Sequence, residues 1–396
     1  MSLKTNKPTA FDTELERIDK DISELEGSAL SAPFDSIKAT RFVYRLYQRA
    51  SLTGNFAELE VAEATLNQAI GQVSNAADLY FLKANLDFKC HRLADVRRDL
   101  DIGPGLRDSI PGRALQADLD FQEGRYERAR EGYESVIRDN RTWDNLARLA
   151  YLKFKMGETA CAEQLYVEAE DELTAKEMRS YAWVELQRGV LDLTSGRYAD
   201  AWTHYRRADR AYSGYWLVAE HMAELLGAEG KFDEAVTLYQ RVVARVRRPE
   251  LQQALGELYS LMGKPDEAEP WYEQALAAYL ESAERGEVHF YHHLTDFYAH
   301  VREDAQEALK WARKDIELRE NFSTQAALAW ALYCDGQFVE ACDIMNEALA
   351  SGAKDAHLFA QAAIIHQAAG GNGDGKQYLQ IAAEINPHHQ NFHVHR

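Results

Sequence analysis

A five-residue step from glycine to alanine recurs along this chain at a nearly constant interval, and a fixed period restricts the fold before any local reading begins. Gly124-Arg125-Tyr126 leads to Ala129, Gly196-Arg197-Tyr198 to Ala201, Gly230-Lys231-Phe232 to Ala235, Gly263-Lys264-Pro265 to Ala268, and Gly336-Gln337-Phe338 to Ala341. Four residues past each alanine stands a bulky group, Tyr133, Tyr205, Tyr239, Tyr272 or Met345. Three further on stands a small or aliphatic one, Val136, Ala208, Val242, Ala275 or Ala348. Seven residues before the glycine stands Ala117, Gly189, Ala223, Gly256 or Ala329. Gly157, with Ala150 before it and Ala162, Tyr166 and Ala169 after it, makes a sixth unit.

The spacings of four and three are those of one helix face, and the glycine between two such faces supplies the positive φ that ends a helix. Small residues at the crossing let two antiparallel helices approach, and the tyrosine is expected to fill the space between one hairpin and the next. This arrangement resembles the tetratricopeptide repeat, in which a small residue on a first helix, a glycine-aromatic turn, then alanine, aromatic and alanine on a second helix recur about every 34 residues. The resemblance implies an all-α, right-handed superhelical solenoid of antiparallel helix pairs. Less regular units extend it: His91 and Glu303 stand at the turn in two of them, Gly370 in the last, and Ile385-Asn386-Pro387 matches the family's exit from a second helix. With Ala57 as the nominal first turn, ten units turn at 57, 91, 124, 157, 196, 230, 263, 303, 336 and 370. Two intervals, of 39 and 40 residues, are long, so extra turns on a second helix and changes of curvature are expected near 170–180 and 278–288.

The array thus occupies residues 34–387, between an N-terminal segment, 1–33, and a histidine-rich tail, 388–396. Phe11, Leu15, Ile18, Ile22 and Leu25 form an amphipathic stripe. It suits a helix that caps the apolar end of the stack, or a short coiled-coil dimer segment. With 45 basic and 64 acidic side chains the net charge is −19, which disfavours nucleic acid as a partner. Met1–Ala10 lacks the apolar core of a secretory signal, and no run approaches the roughly 18 apolar residues of a membrane span. Cys90, Cys161, Cys334 and Cys342 form no Cys-x-x-Cys pair. A cytoplasmic protein with reduced thiols is expected, without membrane association; the oligomeric state is open.

In the family, first helices line the concave face, and a peptide or protein segment is held there. Three residues before each turn stand Phe88, Phe121, Phe154 and Leu193; six before it stand Asn85, Asp118, Tyr151 and Val190. These rows suit a ligand with spaced apolar anchors, or pack against their own second helices. The lysine and asparagine set with which one subfamily grips a terminal carboxylate is not evident. Histidine is the second unusual feature: His289, His292, His293 and His300, with Asp296 among them, and His388, His389, His393 and His395. One-turn spacing within the first cluster could chelate a divalent ion or simply line a hydrogen-bonding groove, and the second could wrap zinc, nickel or copper. Gly370–Lys376 begins like a phosphate loop, but Gln377 replaces the Ser or Thr that would hold magnesium. The expectation is a non-catalytic protein- or peptide-binding scaffold without a cofactor. A metal-binding protein is the alternative, and a regulatory subunit of a separate enzyme a weaker one.

Overall fold

The computed structural model describes residues 7–30, 34–72, 76–370 and 374–394. Among them the chain forms 21 helices and no strand. Helix α1 (Ala10–Glu26) precedes ten antiparallel hairpins. They are α2 (Ser36–Thr53) with α3 (Phe56–Gln72), α4 (Ala77–Lys89) with α5 (Leu93–Ile102), α6 (Ile110–Gln122) with α7 (Tyr126–Asp139), α8 (Trp143–Lys155) with α9 (Thr159–Asp171), and α10 (Met178–Thr194) with α11 (Tyr198–Ala211). Then come α12 (Trp216–Ala228) with α13 (Phe232–Val243), α14 (Pro249–Leu261) with α15 (Pro265–Glu284), α16 (Tyr291–His300) with α17 (Ala305–Leu318), α18 (Phe322–Cys334) with α19 (Phe338–Ala350), and α20 (Ala356–Ala368) with α21 (Asp374–Ile385). Each second helix also packs on the following first helix, so the hairpins stack in series as an all-α superhelical solenoid.

All ten turn positions have positive φ, from +52° to +90°, including the two that lack glycine, His91 and Glu303. One residue beyond the turn, the backbone N–H bonds the carbonyl five residues back, as from Arg125 to Asp120 and from Lys231 to Leu226, both at 2.8 Å. In three hairpins a side-chain bond reinforces it: Nε of Arg92, Arg125 and Arg197 donates to Asp87, Asp120 and Asp192 at 2.6, 2.6 and 2.7 Å. The first turn falls at Gly54, with φ +69°, rather than at Ala57, so the first interval, from 54 to 91, is 37 residues.

The small and bulky positions meet chiefly inside a hairpin. A Cβ on Gly189 would lie 2.2 Å from the Tyr205 ring, and one on Gly256 would lie 2.5 Å from Tyr272. The tyrosine therefore fills a notch on its own first helix and reaches the next hairpin with its outer edge, as Tyr272 does to Phe297 with centroids 5.9 Å apart. In the long unit near 278–288 the second helix α15 is extended to 20 residues. Near 170–180 the second helix α9 keeps 13 residues; the surplus lies in the 172–177 connection and in α10, which has 17. Here the Glu177 carboxylate accepts from the backbone N–H and hydroxyl of Thr174, a local turn that replaces continued helix.

The solenoid curls until hairpins five or six apart touch. A Cβ at the Gly54 turn would meet Trp216 and Arg248, at Gly124 Glu320, at Gly157 Lys354, and at Gly196 Asn386 and Pro387. Direct bonds follow the same seam: Trp216 Nε1 donates to Leu52 O at 2.8 Å, Asn321 Nδ2 to Gln122 O at 2.8 Å, and Lys354 N to Lys155 O at 2.9 Å. Helix α1 continues the series, with Phe11 N bonded to Ser213 O and Glu14 accepting from Tyr212. Phe11 and Ile18 are buried and Leu15 and Ile22 pack beside them, so this stripe is spent within the chain.

Candidate partner-binding cavity

First helices from α6 to α20 face inward, and because the solenoid closes they bound a central cavity of about 480 Å³. One wall is an aromatic strip. Phe154 and Tyr151 have centroids 6.4 Å apart, Tyr151 and Phe121 5.5 Å, Phe121 and Tyr126 5.6 Å, and Tyr126 and Phe322 6.1 Å. The Lys155 ammonium lies 5.2 Å over the Phe154 ring, a cation–π contact. Elsewhere on the lining Trp330 stacks on His300 at 5.7 Å.

Carboxylates outnumber cations on the lining: Glu224, Glu250, Glu257, Asp296 and Asp355 face Lys155 and Arg319. Burial would raise the Glu250 carboxyl, but Arg248 and His293 hold it down at about 2. Asp355 is likewise kept below the usual range, where burial is outweighed by Lys155 and His357. Both stay ionised at neutral pH, so the cavity offers an apolar wall and fixed negative charge together.

The tetratricopeptide repeat family matches residues 217–281, which run from α12 into α15 and span two consecutive hairpins with the same turn geometry as the other eight. The chain carries tetratricopeptide repeats there. No curated protein matches it. Among solved structures it is similar to the APC/C hetero-tetramer Cut9-Hcn1, at 17% identity over 96% of this chain and 80% of that one, with a TM-score of 0.44. It is also similar to MamA, at 18% identity over 42% of this chain and 96% of that one, TM-score 0.34. A thermophilic TPR protein of Thermus thermophilus aligns at 17% identity over 52% of this chain and 98% of that one, TM-score 0.36.

In this tetratricopeptide-repeat array the expected groove positions divide. Phe121, Tyr151, Phe154, Val190 and Leu193 line the cavity. Phe88 does not: it packs on Leu93, Leu115 and neighbouring apolar side chains in the adjoining core. Asn85 donates to Phe81 O, and Asp118 is taken by Tyr133 and Arg148 in a tie between adjacent hairpins.

Of the histidines, His292, His293 and His300 line the cavity with Asp296. His289 is buried against Phe290, centroids 4.1 Å apart, and His293 is stacked on Tyr279 at 5.6 Å. His300 Nδ1 is 2.9 Å from Asp296, and His292 Nδ1 is 3.7 Å from Asp315. In the tail, the His388 ring lies tilted against Tyr198, His389 bonds Asn386 O and His393 bonds Glu224, while His395 lies outside the described residues. Among the described residues no three His, Cys, Asp or Glu side chains converge as a metal would require. Asn372 and the glycines at 371 and 373 in the loop-like segment also lie outside them.

Two features escaped the sequence reading. Counting back six from the Gly230 turn gives Glu224 and counting back three gives Gly227, so the signal for both was the same register carried one hairpin further. The other is the entry of the tail itself into the cavity wall, through His393 and Val394.

Proposed function

We propose that this tetratricopeptide-repeat protein is a non-catalytic scaffold that holds a segment of a partner protein in its central cavity. The observation that carries the reading is the unbroken strip from Phe154 through Tyr151 and Phe121 to Tyr126 and Phe322 along one cavity wall. Aromatic side chains anchor bound segments through large apolar area at low entropic cost. A volume of about 480 Å³ takes a few side chains of an extended or helical segment rather than a folded domain. The carboxylates that share the lining with the strip favour a partner whose apolar anchors are flanked by a cation or by hydrogen-bond donors. No described helix is long and apolar enough to cross a membrane.

The test is selection of a displayed random-peptide library on the immobilised full chain, with counter-screening on a Tyr151→Ala/Phe154→Ala variant. Tyr151 is exposed and Phe154 half-buried, so the variant keeps its helices, as circular dichroism would verify. Enriched peptides should carry aromatic or aliphatic anchors and lose at least about tenfold in affinity for the variant, a loss of about 1.4 kcal/mol. Equal binding to both proteins would reject the cavity as the site.

A further inference from the structure

Along the inward face, the position three residues before each turn carries Phe121, Phe154 and Leu193 in successive hairpins, and in the next hairpin it carries Gly227. The missing ring is supplied from elsewhere in the chain. Phe392 is buried, and its ring carbon Cδ1 would lie 2.3 Å from a Cβ on Gly227. Six residues before the same turn, where Tyr151 and Val190 stand in earlier hairpins, is Glu224. Its carboxylate accepts from Val394 N at 2.8 Å and is bonded to His393 Nδ1. Asn391 Nδ2 donates to Ala228 O at 2.8 Å. The tail therefore binds α12 through the two register positions by which the neighbouring first helices face the cavity.

The geometry points to a peptide-recognition subsite on α12, formed by Glu224, Gly227 and Ala228, that reads an aromatic residue preceded by an amide donor and followed by two hydrogen-bond donors. It is held in cis by residues 391–394. This rests on the reading that the cavity receives a partner segment, and it adds the partner's chemistry: a segment of the same pattern competes with the tail for the seat. Gly227, in the last turn of α12, is the specificity element, since any side chain there would fill the space the Phe392 ring occupies. The cleft bounded by the tail, about 210 Å³, adjoins the cavity through Leu193, Thr194 and His357, so release of the tail would enlarge the cavity along α12.

The experiment uses the full chain and two variants. Gly227→Ala favours the helix yet closes the seat, so hydrogen exchange of residues 388–394 should rise about tenfold or more over wild type. Phe392→Ala empties the seat without closing it. A labelled synthetic peptide of residues 386–394 should then bind Phe392→Ala at least about tenfold more tightly than wild type by fluorescence anisotropy. The same peptide with alanine for its phenylalanine should not bind. Unchanged exchange in Gly227→Ala, or peptide binding that is absent or equal in wild type and Phe392→Ala, overturns the subsite. Neither outcome touches the Tyr151 and Phe154 result, which tests the cavity separately.

Discussion

His91 combines two unfavourable conditions in one side chain. It holds φ +59°, a region that costs a residue with a β-carbon about 1–2 kcal/mol, and its ring lies in the seam among Arg319, Asp315, His289 and His293. Burial, and next the Arg319 guanidinium, push the His91 imidazole down to about 3; burial brings His289 and His293 to about 4. Each is neutral in the folded chain but protonates in the unfolded chain below its ordinary value of 6.5. Their contribution is thus complete above that value and is lost as pH falls from 6.5 toward 4. Glu250 and Asp315, held at about 2, add a second loss below the ordinary carboxylate range. Thermal melts should show a falling transition temperature between about pH 7 and about pH 4.5, and His91→Asn, which tolerates left-handed backbone without titrating, should reduce the slope. A flat wild-type profile over that range contradicts the assignment.

At the scale of the hairpin, the turn position is the clearest element. Glu303 stands there exposed, with φ +52°, and its side chain is not part of the buried core. Glu303→Gly should therefore raise stability by about 1 kcal/mol in urea unfolding, and a loss of stability would show that the side chain matters in a way its position does not reveal. Turn register was legible in the sequence because left-handed backbone and close helix crossing each demand particular residue types at fixed distances. The first turn was misplaced because the period was given priority over Gly54, although only a glycine meets the backbone requirement cheaply. The surplus residues near 170–180 were assigned to the wrong helix because the Thr174 to Glu177 turn competes with helix on nearly equal terms in sequence. Counting back from the turns puts Phe121, Tyr151, Phe154 and Leu193 on the inward face, where they line the cavity, while the same count at Phe88 leads to a ring packed in an adjoining core.

For the whole molecule the decisive contacts join hairpins five or six apart, and nothing in a repeat period reveals them. Curvature accumulates from small rotations between neighbours, which are set by packing details that leave the period unchanged. An open array unfolds from its ends; one whose first and last hairpins are tied through the middle is expected to unfold more nearly as a unit. Asn321 isolates one such tie, since its side-chain oxygen caps α18 through Ser323 and Thr324 while its nitrogen donates to Gln122 O across the seam. Asn321→Asp keeps the cap and removes the donor, so it should cost about 1–2 kcal/mol in urea denaturation, and no loss would mean that the bond across the seam contributes nothing. The offset across this seam also bears on how such a chain can change over evolutionary time. Gain or loss of a single hairpin, an edit that a freely ended array absorbs, would set every partner across the closure one step out of line, so the copy number of this protein is locked to its circumference.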